Sequence, residues 1–206
     1  MNAAELDAVT IDAYGTLVTL IDPVPALVQA LAERNVQRER DAVVHGFRTE
    51  VAHYSQHASS GHDEPGLAQL RRDCARVFLD AIDADLDAEE FAPVYAGAMR
   101  FEPLPGVVSA LERLRSLGLE LAVVGNWDLS LQTLLAEIGL APHFRATVHA
   151  AGKPSPEGLL RALEQLGVEP GRGLHIGDDK VDEHAAAAAG MRFAPAPLPD
   201  AVSQLA

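Results

Sequence analysis

The second half of the chain alternates between short apolar segments and amphipathic segments, and this alternation constrains the fold more than any other feature. A short apolar segment bounded by Gly118 and Gly125 predicts a buried strand at 119–124, and two further strands are predicted at 146–150 and 173–177. Apolar residues at helical spacing predict helices at 105–118, 128–139, 155–167 and 183–190. Because helices connect successive strands, we expect right-handed crossovers and an α/β fold with a parallel sheet. Further strands are predicted at 9–11 and 192–196.

Residues 20–98 have a different pattern, with no convincing strand. Helical spacing predicts four helices in this segment, at 24–34, 41–57, 67–82 and 88–99. Residues 59–66 have the composition of a loop. We therefore predict a core formed by residues 1–19 and 99–206, with residues 20–98 inserted after the first strand as a helical cap.

Composition excludes several functional classes. A net charge of −14 argues against nucleic acid and anionic membranes as partners. The single cysteine, Cys74, excludes a disulfide framework and a cysteine-rich zinc site. No signal peptide is recognisable, and no apolar run reaches the ~18 residues of a membrane span, so a cytoplasmic protein is expected. Among 16 basic residues only two are lysines, Lys153 and Lys180.

Polar residues follow the predicted strands at four places. They are Asp12, Asn126, Lys153, and Asp178 with Asp179. A single Asp after a strand is most often a helix cap or a turn residue. In an open parallel sheet, however, the ligand site lies beyond the carboxyl ends of the strands. The four places together therefore predict one shared cleft.

The chemistry of this set is specific. The carboxylates that would meet are those of Asp12 and Asp178, with Asp179 or Asp182. Carboxylates packed together repel one another, and Mg²⁺ is held by a few carboxylates, water and a phosphate oxygen. A carboxylate held by a metal and a lysine can attack phosphorus, and Lys153 would offset the charge. Gly15 and Thr16 predict a tight turn whose backbone N–H groups can hold an anion.

At these residues the sequence resembles the haloacid dehalogenase superfamily, and the resemblance covers almost the whole chain. Four segments carry it in order: Val9-Thr-Ile-Asp-Ala-Tyr-Gly-Thr-Leu17, Val123-Val-Gly-Asn126, Gly152-Lys-Pro-Ser-Pro156 and Gly177-Asp-Asp-Lys-Val-Asp182. The resemblance implies a Rossmann-like core. The insertion after the first motif is similar to the cap of the helical-cap (C1-type) subgroup.

The resemblance also implies roles by position. Asp12 would be the nucleophile, and Asp12, the Tyr14 backbone carbonyl and Asp178 would hold Mg²⁺. Lys153 would neutralise charge, and Asp179 and Asp182 would serve the outer shell of the metal or orient Lys153. Asn126 would assist catalysis. The predicted substrate-binding residues are Thr16, Gly125, Asn126, Arg48 and Trp127.

Two positions depart from the pattern of the family's phosphatases. Tyr14 stands where those enzymes have an Asp that acts as general acid and base, a role worth ~10²–10⁴-fold in rate. Gly125 stands where they have a hydroxyl that binds the transferring group, and one such donor can be worth ~10²–10³-fold. The backbone N–H of Asn126 remains available to that group.

The string Asp12-Ala-Tyr-Gly-Thr16 also resembles the 2-haloacid dehalogenases, in which the Asp attacks carbon and no metal is required. That branch typically has Ser and Asn in the fourth motif, so the three acids Asp178, Asp179 and Asp182 argue against dehalogenation. The cap positions His45, His53 and His57 share similar helical faces, which favours a solvated or substrate-facing helix over a metal site.

The expected function is Mg²⁺-dependent hydrolysis of a small, anionic phosphorylated molecule through an aspartyl-phosphate. Two alternatives stay open: a 2-haloacid dehalogenase, and a family member that has lost turnover and acts in binding or regulation. Neither the substrate nor the oligomeric state follows from the sequence.

Overall fold

The computed structural model describes residues 3–205. Its centre is a five-stranded sheet in the order β5-β4-β1-β6-β7, in which every pair is parallel. The strands are β1 (Ala8–Ile11), β4 (Glu120–Val124), β5 (Ala146–Val148), β6 (Gly173–Gly177) and β7 (Arg192–Pro195). Two further strands, β2 (Val18–Leu20) and β3 (Phe101–Pro103), pair with each other. The predicted parallel α/β fold is confirmed.

β1 occupies the centre of the sheet, and all four of its residues are buried. Its neighbours are β4 and β6, and Thr10 lies in register with Ala122 on one side and His175 on the other. Strands buried on both faces are read in sequence as continuous apolar runs, which is why β4 and β6 are predicted well. β2 and β3 are not predicted, since each has three residues and is partly exposed.

Five helices belong to the same unit as the sheet. They are α5 (Val107–Ser116), α6 (Leu131–Glu137), α7 (Glu157–Leu166), α8 (Lys180–Ala189) and α9 (Leu198–Ser203). Leu159, Leu163 and Leu166 fall on one face of α7, and they pack with alanines of α8 and with apolar residues of β1, β4 and β5 in one buried cluster. This packing holds β1, β4 and β5 in place, and polar residues follow the carboxyl ends of these strands.

The described residues divide into two compact units. One consists of residues 3–19 and 102–205, and it is called the core unit below. The other is Leu20–Phe101, called the helical unit. The helical unit contains α1 (Val24–Ala32), α2 (Arg40–His57), α3 (Glu64–Ala81) and α4 (Ala88–Ala98). Its interior includes the aromatic rings of Phe78, Phe91 and Tyr95. That this unit acts as a cap stays a prediction.

Five predicted helix starts are wrong by a few residues. α3 begins at Glu64 rather than 67, inside the predicted loop, because the Asp63 side chain accepts from the Gly66 N–H and caps the helix. α5 begins at Val107 rather than 105. α8 begins at Lys180 rather than 183, because the Asp179 side chain accepts from the backbone N–H of Val181 and caps the helix. α7 begins at Glu157 after Pro156, not with Ser155 as its cap. α6 begins after Ser130, and Asp128 instead accepts hydrogen bonds from the N–H and hydroxyl of Ser130.

Short 3₁₀ helices at Ala3–Glu5, Ala58–Gly61, Ala141–His143 and Pro170–Arg172 complete the fold. Within residues 3–205, no helix combines the length and the apolar character that a membrane crossing requires.

Candidate active site

Asp12 lies at the carboxyl end of β1, the central strand of the sheet. Its backbone N–H donates to the carbonyl of Ile176 at 2.9 Å, which extends the pairing of β1 with β6 by one residue. Asp178 follows β6 directly. The parallel register therefore brings two carboxylates to the same edge of the sheet, although they are far apart in the chain.

Lys153 lies in the loop between β5 and α7 and reaches Asp12 with its ammonium group. Its Nζ donates to Asp12 Oδ1, to Asp182 Oδ1 at 2.5 Å and to the Val124 carbonyl at 3.0 Å. An ammonium has three hydrogens, so every one of them is used. The Lys153 side chain is 2% exposed, and its charge therefore acts in a poorly screened environment.

Asn126 holds the backbone of Lys153 from the end of β4. The Lys153 N–H donates to Asn126 Oδ1 at 2.8 Å, and Asn126 Nδ2 donates to the Lys153 carbonyl at 2.9 Å. This two-bond clamp uses the polar atoms of the Asn126 side chain. The structure therefore gives Asn126 the contacts of a residue that positions Lys153.

Three carboxylates converge beside this lysine. Oxygens of Asp12, Asp178 and Asp182 lie within 4.8 Å of one another. Asp179, predicted to serve the same site, is not part of this group. Its side chain is occupied as the cap of α8, and its backbone N–H donates to Asp182 Oδ2 at 3.1 Å. An Asp beside a strand end can be either a ligand or a helix cap, and here the two roles fall on neighbouring residues.

The pKa values follow from burial and from the neighbouring charges. Burial raises the pKa of Asp12 to about 6; Lys153 opposes this shift and the Asp182 carboxylate adds to it. Burial, with the carboxylates of Asp182 and Asp179, also raises the pKa of Asp178. Burial alone would raise the pKa of Asp182, but hydrogen bonds and charge from His175 and Lys153 hold it at about 2. The lowered pKa of Asp182 thus favours its ionised form beside the lysine.

Two glycines make room for these carboxylates. Gly15 has a φ of +79°, and a Cβ added there would overlap the Asp178 carboxylate. A Cβ added to Gly177, the last residue of β6, would overlap the carboxylate of Asp182. Both positions therefore require glycine for steric reasons at the site itself, which explains the glycines of the first and fourth motifs.

The predicted substrate-binding residues have different environments. Thr16 is buried and its hydroxyl donates to Asp178 Oδ1 at 3.5 Å. Gly125 continues β4 and donates its N–H to the Val148 carbonyl at 3.0 Å. Trp127 is buried and donates from its indole to the Ser130 hydroxyl at 3.3 Å, as a packed core residue does. Arg48 is exposed on α2 of the helical unit, so the core unit does not contain it.

Tyr14 stands two residues after Asp12 and is 54% exposed. Its backbone forms an isolated bridge with Val18 in the turn that follows β1. No acid follows Asp12 at this position, so the general acid of the family's phosphatases is missing there.

The family model for haloacid dehalogenase-like hydrolases matches residues 6–190. The chain belongs to this family. The match includes all four motifs, the whole helical unit and the core unit up to residue 190, which agrees with the resemblance that the motifs carry.

Relatives of this haloacid dehalogenase-like hydrolase include enzymes with a named phosphatase activity. The chain is 31% identical over 207 residues to the N-acetylmuramic acid 6-phosphate phosphatase of Pseudomonas aeruginosa, covering 94% of this chain and 83% of that protein. It is 37% identical over 132 residues to haloacid dehalogenase-like hydrolase domain-containing protein 3 of Bos taurus, covering 56% of this chain. That second match spans about half of the bovine protein, 53% of its length.

A solved structure of the dehalogenase branch is also similar. The L-2-haloacid dehalogenase from Xanthobacter autotrophicus aligns with a TM-score of 0.64 at 25% identity, over 92% of this chain and 77% of that chain. The overall fold therefore does not separate phosphatase from dehalogenase, and the site must do so.

The donor set of this hydrolase fits a hard divalent cation. The three carboxylates face a single ammonium, which leaves excess negative charge in a partly buried space. Oxygen donors of this kind suit Mg²⁺. Asp182 is already engaged by Lys153 and His175, so Asp12 and Asp178 are the carboxylates with oxygens to offer.

Sequence reasoning missed one residue of the site, His175 in the middle of β6. Its ring is fully buried, and its Nε2 lies 3.1 Å from Asp182 Oδ1. Burial lowers its pKa, although the carboxylate of Asp182 opposes that shift. The available signal is a polar residue inside an otherwise apolar strand, which costs stability unless the group is hydrogen-bonded.

Proposed function

We propose that this haloacid dehalogenase-like hydrolase is a Mg²⁺-dependent phosphatase that acts on a small phosphorylated metabolite through an aspartyl-phosphate on Asp12. The observation that carries the proposal is the position of Asp12. Its carboxylate is bound by the buried ammonium of Lys153 and lies in a cluster with Asp178 and Asp182. The phosphatase name of the relative from P. aeruginosa supports the same reaction class.

Asp12 and Asp178 would hold the metal, together with the Tyr14 backbone carbonyl that the family resemblance implies. The bound cation would supply charge neutralisation for the carboxylate and the phosphoryl oxygens. Thr16 donates to Asp178, and Gly15 leaves the space that its carboxylate occupies, so both residues support this ligand.

The chain's own groups then perform two displacements. A carboxylate oxygen of Asp12 forms a bond to phosphorus while the ester P–O bond breaks, and the leaving alkoxide takes a proton from water. Water then attacks the acyl phosphate, which releases inorganic phosphate and restores the Asp12 carboxylate. Because the pKa of Asp12 is about 6, the nucleophile is mostly ionised above that pH. Lys153 stabilises the negative charge that develops beside it.

Tyr14 sets an expectation about the substrate. Without an acid two residues after Asp12, the leaving group must depart without general-acid help, which is worth ~10²–10⁴-fold. The rate should therefore depend steeply on the leaving group, with aryl phosphates and acyl or anomeric phosphates turned over faster than simple alkyl phosphates.

The proposal also includes the location of the protein. Small phosphorylated metabolites are substrates of the cytoplasm, so the cytoplasm is the location that we propose for this protein.

One specific observation favours the dehalogenase alternative. Tyr14 gives the first motif the sequence of the 2-haloacid dehalogenases, and the fold is similar to one of them. Asp178 counts against it, because its carboxylate lies in the same cluster as Asp12 and has no use in a metal-free displacement.

A paired assay tests the proposal. The purified protein is incubated with 4-nitrophenyl phosphate, with N-acetylmuramic acid 6-phosphate and, separately, with 2-chloropropionate, each with Mg²⁺ and with EDTA. We expect phosphate release that requires Mg²⁺ and is lost in Asp12→Asn, while Asp200→Asn, an exposed substitution on α9, leaves it unchanged. Chloride release in EDTA would overturn the proposal in favour of dehalogenation. Release of neither product across a panel of phosphate esters would favour a binding protein.

A further inference from the structure

A buried chain of polar groups connects the interior of the sheet to the nucleophile. It runs from Thr10 through His175, Asp182 and Lys153 to Asp12, entirely within the core unit, and is called the buried polar chain below. Thr10 Oγ1 lies 2.9 Å from His175 Nδ1, and His175 Nε2 lies 3.1 Å from Asp182 Oδ1. Lys153 Nζ then joins Asp182 to Asp12. Thr10, His175 and Asp182 are each at most 1% exposed.

The parallel register creates this chain. Thr10 of β1 lies directly beside His175 of β6, so two polar side chains meet between strands that are otherwise apolar. They are 165 residues apart in sequence. A hydroxyl and an imidazole in the centre of a sheet cost free energy unless they are paired, and here each satisfies the other.

The hydrogen-bond partners of His175 determine which of its ring nitrogens carries a hydrogen. A carboxylate only accepts, so the hydrogen between His175 and Asp182 is on Nε2. In the neutral ring Nδ1 accepts from the Thr10 hydroxyl. In a protonated ring Nδ1 would instead donate to the Thr10 carbonyl, which lies 3.1 Å away. Both states direct the Nε2–H at Asp182, so this contact does not depend on titration of the ring.

His175 therefore restricts the carboxylate that holds the lysine. Asp182 Oδ1 accepts from both His175 and Lys153, and its Oδ2 accepts from the Asp179 N–H at 3.1 Å. With both oxygens bonded, the carboxylate cannot rotate without breaking a hydrogen bond. Without His175, Oδ1 would be bonded only to the Lys153 ammonium, which is the group that it positions. The bond from β6 that holds Oδ1 independently of the lysine would be lost, and the ammonium would be free to shift together with that oxygen.

We propose that His175, held by Thr10, is a positioning residue that fixes Asp182 through its Nε2–H and thereby keeps the Lys153 ammonium on the nucleophile Asp12. The consequence for turnover rests on the proposed phosphatase function, whereas the placement of the ammonium does not. A histidine that only fills space in the core would support the fold without affecting Lys153.

Because the chain has only two lysines, the position of the Lys153 ammonium can be followed directly through its own NMR signal. The protein is labelled with ¹⁵N-lysine and the NH₃⁺ signals are recorded by proton-detected NMR in EDTA; Lys180→Arg assigns them. We expect a slowly exchanging Lys153 signal in the wild type, broadened beyond detection or shifted in His175→Leu. His175→Gln, whose amide still donates, should restore it. Thr10→Val should give a smaller change in the same direction.

A matched control separates positioning from stability. Leu174 precedes His175 on β6 and is fully buried, so Leu174→Ala weakens the same strand without removing a hydrogen bond. It should leave the Lys153 signal where it is. An unchanged signal in His175→Leu, or equal changes in His175→Leu and Leu174→Ala, would overturn the proposal. If His175→Leu does not fold, the comparison of Thr10→Val with Leu174→Ala decides in the same way.

Kinetics supply the second measurement. Outer-shell partners of a site are typically worth ~10–100-fold. With 4-nitrophenyl phosphate and Mg²⁺ we expect kcat to fall by about that factor in His175→Leu with KM nearly unchanged, and to recover in His175→Gln. A change confined to KM would contradict positioning of Lys153. If the wild type lacks phosphatase activity, the proposed function fails, and the NMR comparison still decides the role of His175.

Discussion

Replacing Lys153 by methionine removes the cation that binds the buried carboxylates of Asp12 and Asp182, and it should strongly destabilise the core unit. The side chains of Lys153 and Asp182 are each 2% exposed, and that of Asp12 is 11% exposed. Removing one partner of a buried ion pair costs ~3–5 kcal/mol, because the remaining charge is uncompensated. Methionine keeps a similar volume, so a cavity contributes little to this cost.

The expected loss is large compared with the whole stability of a domain, which is ~5–15 kcal/mol. Urea unfolding in EDTA measures it through the fluorescence of Trp127, the single tryptophan, which is buried in the core unit. With a denaturant slope of ~2 kcal/mol/M, the midpoint should fall by roughly 1.5–2.5 M. The added variant Lys153→Met/Asp182→Asn should recover part of the loss, since it removes one of the unpaired charges.

Lys180→Met is the matched control for this experiment. Lys180 is exposed at the first position of α8, and surface substitutions usually change stability by less than ~0.5 kcal/mol. Equal midpoints for Lys153→Met and Lys180→Met would refute the reasoning, because the buried carboxylates would then not need the ammonium.

Three further substitutions test other parts of the molecule. Tyr14→Asp should raise kcat/KM for alkyl phosphates ~10²-fold or more and for 4-nitrophenyl phosphate much less, because an acid assists the poorer leaving group; an equal gain for both esters would contradict that role. Gly125→Ser should raise phosphatase kcat above that of Gly125→Ala, because a Cβ there lies 3.4 Å from the nearest atom, Ala13 Cβ, and the hydroxyl adds a donor; equal rates would show that the hydroxyl does not reach the transferring group. Burial raises the pKa of Glu50, which accepts from Tyr95 at 2.8 Å, so the folded form binds this proton more tightly and the free energy of unfolding should fall as pH rises above 4.5, by at most ~1.4 kcal/mol per pH unit for this group. Asp12 and Asp178 contribute in the same direction, so in urea unfolding followed by circular dichroism Glu50→Gln should reduce the slope without removing it; an unchanged slope would assign it to the other groups alone.

The sheet could be predicted because burial on both faces leaves a direct trace in the sequence. β4 and β6 are apolar runs that end at glycine, and the polar residues after them are conspicuous for that reason. Helix starts were less predictable. Asp179 and Asp178 are chemically identical, and only the path of the backbone decides that Asp179 caps α8 while Asp178 joins the carboxylates.

The role of His175 could not be derived from sequence because it depends on a pairing between strands. Its partner Thr10 lies in β1, and nothing in either segment states that β1 pairs with β6 in this register. The site residues at strand ends could be predicted because each follows directly on one strand. Contacts between residues on two different strands could be predicted only with knowledge of which strands are neighbours in the sheet.

The placement of β1 at the centre of the sheet has a consequence for how the chain folds during synthesis. β1, which Asp12 follows, is synthesised before its neighbours β4 and β6, and the whole helical unit comes between them in the sequence. The helical unit is continuous in sequence, so it can fold and bury its apolar residues before β1 has a partner strand. Domains generally fold in the order in which they emerge, and non-local strand pairing is slow. We therefore expect Asp12 to meet Lys153 and Asp182 only in the last steps of folding, so that this buried ion pair forms after most of the fold around it.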